Sequence, residues 1–274
     1  PLTGKCSISA VDAKSGKIAW QEEFKDADVY GSAAIGKGLV FVPASNRRLY
    51  AFNMDTGKLI WENVFSDIVF ASPAYVSGVV YVGCQDGYLY AFDAERGAKK
   101  WSFKTAGAVT AGVTLRDGVL YCAGVDGFLY ALDPASAALR WKTFAMDALR
   151  STPAVVDGVV YFGVDDGRVM ALRAKDGAEV WKTKLGKGPV VSSPAVVDGV
   201  IYVGSGGNFL YALRADSGAV AWAFEARDRV YSSPAVAGGV VYFGASDGYL
   251  YAVDAKTGRL EAGSAEEAPK ETAK

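Results

Sequence analysis

Along most of the chain, four short apolar stretches alternate with tight polar turns, and then the same order begins again. Residues 149–185 show it plainly. "LRSTPAVV" is closed by Asp157-Gly158, "VVYFGV" by Asp166-Gly167, "RVMALRA" by Lys175-Asp176-Gly177, and "EVWKTKL" follows. Asp-Gly supplies the positive φ that tight hairpins demand, so the pattern predicts a four-stranded antiparallel meander. The β-branched and aromatic residues between the turns agree. The middle strands are apolar on both faces. In "GYLYAF", Tyr88, Tyr90 and Phe92 point one way and Leu89 and Ala91 the other. A sheet wetted on one face would alternate apolar with polar residues, so these sheets need cover on both. Small sheets packed radially around an axis obtain it, whereas a linear stack would need polar end caps that the sequence does not show. The expected fold is an all-β propeller of four-stranded antiparallel blades.

The unit repeats with a fixed period. Its signature recurs as "ISAVDAKSGKIAW", "LYAFNMDTGKLIW", "LYAFDAERGAKKW", "LYALDPASAALRW", "VMALRAKDGAEVW", "LYALRADSGAVAW" and "LYAVDAKTGRLEA". It ends at Trp20, Trp61, Trp101, Trp141, Trp181 and Trp222, with Ala262 in the seventh place, at spacings of 40 or 41 residues. These six are all the tryptophans in the chain. Complete units begin at Val29, Val69, Val109, Leu149, Val190 and Val230, which favours six blades. The first 25 residues carry only a third and a fourth strand, and the last unit lacks its tryptophan. The economical expectation is that residues 17–24 lie antiparallel to the third strand of the unit beginning at Val230 and close the ring. Two third strands, 8–11 and 250–253, then compete for one place, and a seventh blade is the alternative. Residues 1–262 read as one domain. Residues 263–274, "GSAEEAPKETAK", read as a disordered tail or linker.

The pattern A-x-D-x-x-T-G-x-x-x-W, preceded by text such as "SSPAVAGGVVYFGASDG", resembles the pyrroloquinoline-quinone-type (PQQ-like) propeller repeat. It is cleanest at residues 232–258 and 51–61, and the resemblance covers about residues 6–262. It implies that Trp20, Trp61, Trp101, Trp141, Trp181 and Trp222 are structural staples docked between neighbouring blades. The family includes quinoprotein dehydrogenases, which hold the quinone and a calcium ion over the central funnel. They use Glu, Asn and Asp ligands, an Asp base and commonly an adjacent Cys-Cys pair. This chain has no Cys-Cys, only four Asn, and none of the long inserted loops of those enzymes. The resemblance therefore points away from catalysis, with no cofactor and no metal expected. It points to the distant BamB-like scaffolds of outer-membrane β-barrel assembly. A ligand-sensing domain of a larger membrane-anchored or kinase protein is the alternative.

Composition narrows the chemistry further. The chain has no histidine, which rules out Ser-His-Asp and Cys-His sites and any His-ligated zinc. Cys6, Cys84 and Cys122 are too far apart for a metal pair and odd in number, so three free thiols are expected. Lys5 stands where a lipoprotein site wants a small residue, which argues against lipidation at Cys6. The chain opens on Pro1 without a charged-then-apolar leader, as a processed or excised chain would. A net charge of −1 argues against nucleic-acid binding by bulk charge, and no apolar run is long enough to insert in a membrane. A monomeric ring outside the cytoplasm, periplasmic or at the cell surface, with a protein or peptide partner, is the expectation.

Registering the units puts Tyr30, Phe70, Thr110, Arg150, Val191 and Tyr231 at one position, just before the innermost strand. Positions that only pack should repeat. These run from aromatic to hydroxyl to cation, so they are the candidate funnel residues: Arg150 an anion partner, the aromatics platforms. The preceding loops add Asp26, Asp28, Asp67, Asp147, Arg227, Asp228 and Arg229. No calcium-binding D-x-D-x-D-G loop is present. "GSGGNF" at 204–209 aligns with the Asp-Gly turns and precedes a strand, so it reads as a hairpin rather than a phosphate loop.

Overall fold

The computed structural model describes residues 6–24 and 26–261, and every regular element among them is a strand. The strands fall into two compact units. One runs to Asp126 and takes in Tyr130–Arg140; the other takes in Gly127–Leu129 and runs on from Trp141.

In the first unit, β1 (Cys6–Val11) and β2 (Ile18–Phe24) form a two-stranded antiparallel hairpin. Two four-stranded sheets follow. One holds β3 (Ala34–Gly36), β4 (Leu39–Ala44), β5 (Arg48–Asn53) and β6 (Leu59–Val64). The next holds β7 (Ala74–Val76), β8 (Val79–Gly83), β9 (Tyr88–Asp93) and β10 (Lys99–Lys104). The following repeat contributes β11 (Val113–Arg116), β12 (Val119–Ala123), β13 (Phe128–Leu132) and β14 (Leu139–Phe144), with β11 and β12 antiparallel. The second unit has two further four-stranded sheets. The first comprises β15 (Ala154–Val156), β16 (Val159–Gly163), β17 (Arg168–Arg173) and β18 (Glu179–Lys184). The second comprises β19 (Ala195–Val197), β20 (Val200–Gly204), β21 (Phe209–Arg214) and β22 (Val220–Glu225). A three-stranded sheet completes the series with β23 (Ala235–Ala237), β24 (Val240–Gly244) and β25 (Leu250–Asp254). Each is the meander of a propeller blade.

Local chemistry explains the meander. Asp157 and Gly158 have φ of 49° and 74°, the pair of positive values a type I′ hairpin needs, and they join β15 to β16. The glycine-rich 204–209 segment likewise makes the hairpin between β20 and β21, with Asn208 at φ 73°. Before the third turn the register slips by one residue, between Ala171 and Leu172 in β17 and between Ala212 and Leu213 in β21. Such a bulge increases the local twist where the tryptophan leaves the sheet.

The six tryptophans make one contact six times. The indole N–H of Trp20 donates to Met54 O at 2.7 Å, Trp61 to Ala94 O at 2.9 Å, and Trp101 to Pro134 O at 3.0 Å. Trp141, Trp181 and Trp222 donate to the carbonyls of Ala174, Ala215 and Ala255 at 2.9, 2.9 and 3.1 Å. Each acceptor lies 33 or 34 residues ahead, in the next repeat. The ring then lies on a turn glycine. A Cβ at Gly57 would meet Trp20 at 2.8 Å, and one at Gly97 would meet Trp61 at 2.7 Å. The same turn beneath Trp101 carries Ala137 instead, held at φ 60°.

Ring closure departs from the sequence expectation. Residues 17–24 do not form the fourth strand of the sheet that begins at Val230. β2 pairs with β1, through Cys6↔Phe24 to Val11↔Ile18. At the other sheet, the edge of β25 is met by the chain's own continuation: Val253 bridges to Leu260, and Glu261 N–H donates to Ala252 O at 2.9 Å. The reason is entropic. A turn at Lys256-Thr257-Gly258 returns the chain along β25 at little closure cost, whereas recruiting residues 17–24 closes a loop of the whole chain. The N-terminal hairpin is thus a sheet of its own, not part of the sixth. Ala262 and the 263–274 segment lie outside the described residues.

Candidate binding site at the innermost strand starts

Each innermost strand begins from an anchored loop. Val69, Val109, Leu149, Val190 and Val230 are buried at the start of their units. Beside them, a backbone N–H from the end of each second strand reaches the loop: Gln85 to Ile68 O at 3.1 Å, Val125 to Ala108 O at 2.9 Å, Asp165 to Ala148 O at 3.0 Å. Ser45, Gly206 and Ser246 do the same to Asp28, Pro189 and Arg229. Hydroxyls then stitch successive strand starts together. Ser32 N–H donates to Ser72 Oγ at 2.9 Å, Thr152 N–H to Ser193 Oγ at 3.0 Å, and Ser193 N–H to Ser233 Oγ at 3.0 Å. The backbone at the candidate position is therefore fixed, and the side chains it presents are free to differ.

In the first unit the candidates form an aromatic pair. Tyr30 is 64% exposed and meets Phe70 edge-on, with ring centroids 5.1 Å apart at 65°. The Tyr30 hydroxyl donates to Asp28 Oδ2 at 3.3 Å, and the negative charge of Asp28 holds the phenol above its ordinary pKa. Thr110 turns its hydroxyl inward, where Oγ1 is buried without a hydrogen-bond partner.

In the second unit Arg150 forms an ion pair with Asp165. Its charge is compensated, which alters the sequence reading of Arg150 as an anion partner: a ligand anion would have to displace Asp165. That carboxylate was missed in the sequence, yet the signal was there. Asp165 doubles the turn aspartate in "VDDG", where the other units have Ser45, Gln85, Val125, Gly206 or Ser246. Ser151 Oγ and Asp165 Oδ1 are buried beside this pair without partners. Val191 is half-buried, and Tyr231 lies beneath Arg229, whose guanidinium is 6.0 Å from the ring centroid.

A second set of aromatic–cation pairs stands at the starts of the third strands. Lys104 lies over Tyr88 at 4.2 Å, Lys142 over Phe128 at 4.7 Å and Arg227 over Tyr249 at 4.8 Å. The turn aspartates behind them are structural acceptors. Asp86 takes the hydroxyls of Ser66 at 2.7 Å and Tyr90 at 2.8 Å, while Asp126 and Asp247 take those of Tyr130 and Tyr251 at 2.6 Å. Burial, reinforced by these carboxylates, pushes the three tyrosine pKa values up. Cys6, Cys84 and Cys122 are free; burial pushes the Cys84 thiol up to about 12 and Cys122 higher still. Neither is a nucleophile near neutrality. Among the described residues, no three Cys, Asp or Glu are grouped so as to hold a metal ion.

Known proteins locate this geometry. The family model described as outer membrane protein assembly factor BamB matches three overlapping stretches, residues 4–109, 85–187 and 165–261. No curated protein matches the chain in sequence. BamB from Moraxella catarrhalis shares the fold at a TM-score of 0.75 and 19% identity, over 93% of this chain and 76% of that one. The computationally designed Ika8 protein does so at 0.83 and 16% identity, over 93% and 80% of the two chains. A europium-containing methanol dehydrogenase does so at 0.80 and 16%, over 93% and 74%.

Proposed function

The chain belongs to the family described as outer membrane protein assembly factor BamB, and from that premise we propose that it is a non-catalytic scaffold that binds a protein partner during assembly at the cell envelope. The observation that carries the reading is the Tyr30–Phe70 pair, Tyr30 exposed and Phe70 half-buried, on a hydrogen-bonded loop framework. Aromatic side chains with few rotors, held on rigid backbone, lose little entropy on binding and are the usual anchors of protein interfaces. The absence of histidine from the sequence and the compensated charge of Arg150 favour recognition over proton transfer.

The reading is tested by placing a photo-crosslinking phenylalanine at Tyr30 and, as a control, at Lys175. Scaffold function predicts a discrete adduct with an envelope protein from position 30 and none from 175. It also predicts at least tenfold less adduct when Phe70 is replaced by Ala, with unfolding temperature little changed. Equal labelling from both positions would sink it. A dehydrogenase-like neighbour in the fold comparison keeps an enzyme as the second reading. Alcohol-dependent dye reduction on adding pyrroloquinoline quinone with calcium or a lanthanide would favour that reading instead.

A further inference from the structure

On the side of the sheets where the tryptophans dock, successive repeats leave a groove. Between the β7–β10 repeat and the next, the groove is about 360 Å³ and is lined by Val79, Tyr81, Trp101 and Leu115. Between the β19–β22 sheet and the β23–β25 sheet it widens to about 560 Å³, with the equivalent walls Val200, Tyr202, Trp222 and Val236. Three small residues open it. Ala221 stands where the narrower groove has Lys100, and Ala237-Gly238, on the wall of the following repeat, stand where the repeat that follows the narrower groove has Arg116-Asp117.

The charge at the rim changes as well. Five of the seven repeats have Asp or Asn at the end of the third strand, where the side chain caps the following turn; Asp93 Oδ1, for instance, accepts the N–H of Glu95 and Arg96. Two have arginine. Arg173 is tied to Asp176 by an ion pair. Arg214 is exposed and has no carboxylate partner among the described residues. It lines the wide groove together with Lys256, which replaces the Ala135 of the narrow one. Asp198 is the one acidic lining residue, so the rim is net positive while the walls are aromatic and aliphatic.

We propose that this groove binds an apolar carboxylate, its alkyl or aryl body against Trp222, Tyr202 and Val236 and its carboxylate on Arg214 with Lys256. Guanidinium is the side chain best matched to a carboxylate, and an apolar wall adds affinity in proportion to the area it covers. Its lining residues include neither Tyr30 nor Phe70.

The experiment titrates sodium octanoate into the ¹⁵N-labelled chain, with octan-1-ol and octylammonium chloride as comparators. Saturable shifts are expected at the amides of residues 236–239 and at the Trp222 indole N–H, for octanoate alone. Arg214→Gln should weaken binding at least tenfold, whereas Arg173→Gln at the equivalent position should not change it. The double variant Ala237→Val, Gly238→Ser restores the Val76-Ser77 pair of another repeat, so it should fold normally and lose binding. Equal binding of octanol, unchanged binding in the filled variant, shifts centred elsewhere, or no saturation at millimolar octanoate would each overturn the proposal.

Discussion

The sheet β15–β18 and the sheet β23–β25 are written in nearly the same words and live in different surroundings. Val169 is fully buried and its counterpart Leu250 is 67% exposed. Tyr161 and Tyr242 differ in the same way, 5% against 39%. The glycines ending the second strands report why. A Cβ at Gly163 would collide with the carbonyl and side chain of Val190, in the loop that opens the following repeat, whereas one at Gly244 would find nothing nearer than Ser232 Oγ at 3.8 Å. The strand pattern is a property of each repeat; burial is a property of the junction it makes with the next.

That contrast can be broken in order of size. Val169→Asp puts an unpaired carboxylate into a closed junction and should cost more than about 4 kcal/mol, while Leu250→Asp should stay within about 0.5 kcal/mol. Urea unfolding of both variants checks this, and equal costs would erase the distinction. Trp181→Ala should cost about 3–5 kcal/mol by removing a buried indole and its hydrogen bond to Ala215. Trp222→Ala should instead loosen the β23–β25 sheet, raising its amide exchange while β15–β18 remain protected.

Gly163→Ala should cost about 1–3 kcal/mol through overpacking against Val190. Gly244→Ala, with room for its methyl, should be neutral or stabilise by up to about 1 kcal/mol. Thermal unfolding of the pair decides it. The smallest effect belongs to the turn under Trp101: Ala137→Gly relieves a left-handed alanine and the Cβ beneath the indole, and should stabilise by about 1 kcal/mol. A loss of stability there would mean that the turn has adapted to alanine.

Much of this architecture was legible because it is local. Asp157-Gly158 dictates its own hairpin, and the 40-residue return of tryptophan dictates repeating sheets. The contact of Trp61 with Ala94 O follows once every repeat has the same geometry. Closure was less legible, because the pairing of residues 17–24 depends on a contact across the chain, and the local return of Leu260 onto Val253 competes with it. At the candidate site, sequence register brought Tyr30 and Phe70 to the same position, and the structure sets them ring to ring. It could not show that Arg150 would be paired, since Asp165 lies in a different hairpin. Nor could it distinguish Arg214 from Arg173, whose difference is one neighbouring carboxylate at 2.8 Å.

The indole that reaches 33 or 34 residues ahead has one more consequence. A repeat cut at its unit boundary, such as residues 29–68, contains the donor Trp61 and the acceptor Met54 O, but Trp61 answers to Ala94 of the following repeat and Met54 to Trp20 of the preceding one. A single excised repeat therefore has no satisfied junction and no reason to fold by itself. A tandem duplication, by contrast, can start at any residue of the period and still insert one complete junction. Recombination need not respect strand boundaries to lengthen such a chain; it need only preserve the period.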